Sequence, residues 1–140
     1  IKEYLTKLAD VFIRNISRLT KDDLDLFLEI TESNQLERLK ELDMYRAAAG
    51  ASADEIRKIA VPKTLAWFHV REIQLLEATT RQLAILARAE HDPVAALAVV
   101  PQRVDTKIAF ITLHRGELVK WLNTNKITLD PNEKAAFLFR

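Results

Sequence analysis

Between Leu65 and Leu122 the apolar residues recur mostly at steps of three and four, and one short break interrupts them, at His91-Asp92-Pro93. Before the break, Leu65, Phe68, Ile73, Leu76, Leu83 and Leu86 share a face, with Arg71, Gln74, Arg81 and Arg88 mainly opposite. After it, Leu97, Val100, Val104, Ile108, Ile111, Leu118 and Leu122 form a second stripe with a gap at Arg115. Such spacing is the mark of amphipathic helices. Asp92 is the expected N-cap and Pro93 the first helical residue. Two helices, 62–90 and 93–124, each of roughly 30 residues and about 45 Å long, joined by so short a turn, must run antiparallel. The expected fold is therefore all-α: an antiparallel bundle of four or five helices built on this C-terminal hairpin, with residues 1–140 as one domain. Pro101 lies inside the second helix and is expected to kink or split it.

The N-terminal part supplies the remaining helices. Tyr4, Leu5, Leu8, Phe12 and Ile16, with Val11 beside them, make one apolar stripe. Thr20 is the expected cap of a helix with Asp22, Asp23 and Asp25 in its first turn, where negative charge suits the helix dipole. Leu24, Phe27 and Ile30 face inward, and a break is expected near Ser33. Asn34 with Glu37 then caps a looser stripe of Leu36, Leu39, Leu42 and Tyr45, ended by Gly50. Ser52 with Glu55 has the form of a capping box, opening a short helix up to Val61-Pro62. The tail, with Phe137-Leu138-Phe139, is too apolar to dangle and is expected to fold back on the bundle.

Composition removes several classes of function. With two glycines and four prolines in the chain, a Gly-rich phosphate loop is all but excluded, and neither a β-sandwich nor a disordered chain is expected. The absence of cysteine excludes disulfides, a thiolate nucleophile and Cys-based zinc sites. A net charge of +1 argues against a nucleic-acid partner held by a basic surface. No apolar run approaches the eighteen or so residues of a membrane span. Ile1 already lies inside an amphipathic pattern, so the chain reads as a processed or trimmed form, with any signal peptide or anchor preceding it.

The segments Val61-Pro62-Lys63-Thr64-Leu65 with His69, Asp92-Pro93 with Ala95-Ala96-Leu97, and Asn125-Lys126-Ile127-Thr128-Leu129 with Glu133 and Phe137-Leu138-Phe139 occur in that order. Over about residues 56–139 they resemble an uncharacterised group of helical proteins from candidate-division bacteria. In that group an N-terminal membrane anchor precedes an extracytoplasmic helical domain. The resemblance implies a membrane-anchored, extracytoplasmic location and an all-α architecture, and it carries no activity with it. Pro101 and Gly116 depart from the group's continuous last helix.

One arrangement of residues carries chemistry. His69 with Glu72 and His114 with Glu117 are both His-x-x-Glu, which places each pair on one helical face. His69 and His114 are also equidistant from the turn, so they are expected to stand level across the hairpin. Two imidazoles and one or two carboxylates at that spacing suit zinc or another divalent metal. The plainer reading competes with it. His69 sits on the apolar stripe as a hydrogen-bonded core histidine, His114 faces solvent, and the glutamates pair with Arg115 and Arg71. By the same level rule Gly116 faces Trp67, where a missing Cβ would admit the indole ring. Phe110, His114 and Trp121 give the last helix a second apolar side, as a central helix or a homodimer face has. Arg81, Arg88 and Arg103 are expected on a solvated face.

Two functions follow as expectations. The first is a non-enzymatic structural or interaction module that presents helix faces to a protein partner. The second is a metal- or small-ligand-binding bundle using His69, Glu72, His114 and Glu117. No cofactor is required by the first, and no nucleophile or general base with its supporting group marks an enzyme.

Overall fold

The computed structural model describes residues 1–139, and no strand occurs among them. The chain is all-α. The α-helices are α1 (Lys2–Asn15), α2 (Asp23–Glu32), α3 (Leu42–Ile56), α4 (Ala66–Leu86), α5 (Pro93–Ile111) and α6 (Val119–Thr124). A π-helical stretch, Thr112–Leu118, makes α5 and α6 one continuous rod. Short 3₁₀ helices occupy Leu36–Glu41, Lys63–Leu65 and Lys134–Phe139.

Local chemistry explains most of these boundaries. The Asp22 carboxylate accepts from the backbone N–H of Leu24 (2.9 Å) and Asp25 (3.3 Å), so Asp22 rather than Thr20 caps α2. Asn34, at φ 54, turns the chain out of α2, and Asn34 does not cap the following 3₁₀ helix, which begins after Gln35 without a side-chain cap. Gly50 does not end a helix: α3 continues through it, because the Ala-rich stretch around it has high helix propensity. The capping box at Ser52 does not form either. The Ser52 hydroxyl donates to Ala48 O one turn back (2.8 Å), and Glu55 instead pairs with Arg14 and accepts from Asn15 (3.1 Å). Pro62 is extended (ψ 136) and stands outside α4, which is entered through a 3₁₀ turn. Asp92 caps α5 through Ala95 N (3.0 Å) with Pro93 at its start. Pro101 neither ends nor splits α5.

α3 and α5 both pack on α4, and α1 packs on α3 and on the C-terminal 3₁₀ helix. Two buried clusters result. One gathers Leu5, Leu8 and Phe12 of α1 with Phe68, Leu76, Leu113, Leu118 and Leu138. The other gathers Phe27, Ile30, Leu42, Leu83, Leu86 and Val99. The tail does fold back, with Ala135 and Leu138 buried. Phe110 and Trp121 are half-buried against the first cluster.

The largest departure from expectation lies in α5. The stripe Leu97, Val104, Ile108 and Ile111 faces outward, with Leu97 69% and Ile108 55% exposed, while Ala96, Val99, Arg103 and Thr106 face the core. Leu118 and Leu122, on the same stripe by spacing, are buried. The π stretch is the reason. It inserts one residue into the helical count and so rotates everything after it by about 100° relative to everything before. The buried positions are 96, 99, 103, 106, 113, 114, 118 and 122, and Ile111 and Leu118, which seven-residue spacing would put on one face of a regular helix, lie on opposite sides, the first exposed and the second buried. Gly116 lies in this stretch, and a Cβ there would meet only Thr112 Cγ2 at 3.9 Å, so the glycine makes no room for Trp67. The Trp67 indole N–H instead donates to Thr64 O (3.1 Å).

Candidate functional site

Hydrogen bonds tie α4 to the α5 rod: Thr79 with Arg103, Gln82 with Gln102 O and Thr106, Glu72 with His114, and Arg71 with Glu117. Of the four expected site residues, the structure brings His114 and Glu72 together and leaves His69 and Glu117 apart from them. His114 does not stand level with His69. His114 meets Glu72, one helical turn from His69 along α4.

His114 is buried rather than solvent-facing. Its Nε2 lies 2.7 Å from Glu72 Oε2 and its Nδ1 3.1 Å from Leu138 O. A carbonyl only accepts, so Nδ1 carries a proton. The Nε2–Glu72 contact then holds one proton between imidazole and carboxylate, and the pair is neutral as a whole. Glu72 has no exposed surface, and its Oε1 has no hydrogen-bond partner among the described residues. The rings of Phe12, Phe68 and Phe110 surround the imidazole at centroid distances of 6.1, 5.3 and 6.1 Å.

His69 is also buried, and its Nδ1 is hydrogen-bonded with the Tyr4 hydroxyl of α1 at 3.1 Å. Burial lowers the His69 pKa below the ordinary 6.5, against the opposing pull of Glu72. Burial, helped by the Glu72 charge, raises the Tyr4 hydroxyl well above its ordinary range. Glu117 pairs with Arg71 at the half-exposed edge of the hairpin. Among the described residues no group of three or more His, Asp or Glu side chains is placed to hold a metal ion.

The lowered His69 pKa has a consequence for stability. Protonation is easier in the unfolded chain, so the unfolded state takes up more protons as pH falls through 6.5. The contribution of His69 is therefore complete above that value and is lost as pH falls from it toward the lower pKa of the folded state. Urea midpoints are expected to fall across this window, above the range where most carboxylates titrate, and His69→Gln is expected to flatten that part of the profile. An unchanged slope in the variant would assign the titration to another group.

A second polar cluster joins α2, α4 and α5. Arg103, expected on a solvated face, is 7% exposed. Its Nε and Nη2 both lie 2.8 Å from Asp23 Oδ2, and its Nη1 donates to Thr79 Oγ1 at 3.1 Å. Lys107 donates to Asp23 Oδ1 (2.8 Å) and pairs with Asp22. The Asp22 carboxyl is lowered overall: burial pushes it up, and Lys107 with the backbone N–H donors of Asp25 and Leu24 outweighs that. Asp23 and Arg103 are 80 residues apart in sequence, so no local spacing could reveal them. The only trace in the sequence is a lone Arg103 on the narrow α5 face opposite the apolar stripe.

The chain matches no family model, no curated protein and no solved structure. No helix among the described residues is long and apolar enough to cross a membrane.

Proposed function

We propose that the protein is a non-enzymatic structural and interaction module: a single-domain antiparallel helical bundle built on the α4–α5 hairpin, whose outward α5 face packs against a second copy of the chain. The crossings between α4 and the α5 rod support the bundle, since Arg71 and Glu72 meet Glu117 and His114, while Thr79 and Gln82, later on α4, meet the earlier Arg103 and Thr106. The resemblance over residues 56–139 supports an extracytoplasmic placement behind a membrane anchor.

One observation carries the interaction. Val94, Leu97, Val104, Ile108 and Ile111 are all exposed, and with Pro101 they recur at steps of three and four along α5. That is the 3.5-residue repeat by which one helix seats another. The same helix buries an arginine and a threonine toward its own core. Turning apolar side chains to water and a guanidinium to the interior is unfavourable in an isolated chain, since full burial of one Leu or Ile is worth about 1.5–3 kcal/mol. A covering helix removes the disadvantage. Two-fold pairing of identical faces is the commonest way in which proteins achieve it.

Leu97→Glu/Ile108→Glu tests the reading. The parent protein is expected to sediment as a dimer across the micromolar range and the double variant as a monomer with unchanged helix content. A parent that stays monomeric throughout, or a variant that dimerises equally well, overturns it.

A further inference from the structure

A cavity of about 550 Å³ opens between the C-terminal end of α1, the start of α2, α3, α4, α5 and the tail. Its walls are mainly apolar, with Phe12, Leu76, Leu83, Phe110 and Leu138 among them, and Arg103 and Lys107 stand on one side with Asp22 and Asp23. Its volume is in the range of small-molecule sites, which combine apolar walls with a few placed polar groups.

The donor count shows what those polar groups can take. Arginine has five N–H donors, and the contacts to Asp23 and Thr79 engage three of the five on Arg103. Lysine has three, and Asp22 and Asp23 engage two of those on Lys107. The two carboxylates match the two cations in charge, so the cluster is neutral and holds its shape without a ligand. It nevertheless offers spare N–H groups, one side chain of them almost fully buried, at the edge of an apolar chamber. Spare donors of this kind call for an acceptor, and the walls call for hydrocarbon.

We propose that this cavity binds an amphipathic carboxylate, its hydrocarbon body lying among Phe12, Leu76, Leu83 and Phe110 and its head accepting from Lys107 and Arg103. The cavity shares Ile111 with the outward α5 face, and its other walls lie off that face.

The fluorescent fatty acid cis-parinarate, used below its micelle-forming concentration alongside its methyl ester, provides the test. Saturable binding of one parinarate per chain is expected. Lys107→Met removes a charge-assisted hydrogen bond and is expected to weaken the acid about tenfold or more while leaving the ester unchanged. Ala48, half-buried in the cavity wall, offers a second handle: Ala48→Trp fills the chamber and is expected to abolish binding of both probes, with helix content retained as the control for folding. The absence of saturable binding would overturn the proposal. So would undiminished binding to Ala48→Trp, which would place the probe on the exposed α5 face. Equal weakening of acid and ester by Lys107→Met would remove the role of the charged wall and overturn it too.

Discussion

His114→Ala is expected to lower the free energy of unfolding by about 3–5 kcal/mol, the usual cost of removing one partner from a buried ion pair. The loss has two parts. Glu72 has no exposed surface, so without the imidazole its carboxyl is buried with neither oxygen bonded. The Leu138 carbonyl also loses its donor, which loosens the tail from the rod. The double variant Glu72→Leu/His114→Leu separates these effects. It removes both partners at once and is expected to recover most of the stability, because hydrophobic replacements of a whole buried pair are often neutral or better. Urea unfolding of the parent, the single and the double variant measures this. A single variant within experimental error of the parent would show that the pair contributes nothing.

Asp23→Ala is expected to have an effect of the same size, about 3–5 kcal/mol, for a different reason. Asp23 touches both Arg103 and Lys107 and stands at the start of α2. Its removal leaves the Arg103 guanidinium buried against Thr79 alone, and a guanidinium does not shed its charge to escape. Asp23→Asn keeps the shape and one acceptor, and is expected to fall between the parent and the alanine variant. If Asp23→Ala unfolds with an unchanged midpoint, Arg103 must reach water or Asp22 instead.

The two long helices were legible because Leu65, Phe68, Leu76, Leu83 and Leu86 repeat a single helical face for long enough to override local noise, and Asp92-Pro93 marks a helix start by simple hydrogen-bond chemistry. Gly50 and Ser52 misled for the opposite reason: both residue types favour helix ends, and here the packing of α3 against α4 outweighs that preference. Of the candidate site, His114 and Glu72 were legible as members of a His/Glu cluster expected together with His69 and Glu117. Their separation from His69 was not, because the partners that decide it, Tyr4 and Leu138, come from the two ends of the chain. Helix rotation about its own axis is set by packing, and spacing alone does not encode it. The orientation of α5 failed on that same point.

The π stretch gives that failure a wider meaning. A uniform helix has one inside for its whole length, and its hydrophobic residues vote together on where that inside lies. The rod from Pro93 to Thr124 has two, set apart by a single inserted residue. Upstream, Leu97 and Ile108 belong to the outside; downstream, Leu118 and Leu122 belong to the core. Residue number at the π turn, rather than residue type along the stripe, is what assigns each leucine its place. The insertion works as a phase shifter, letting one helix serve the interior at one end and display a greasy flank at the other.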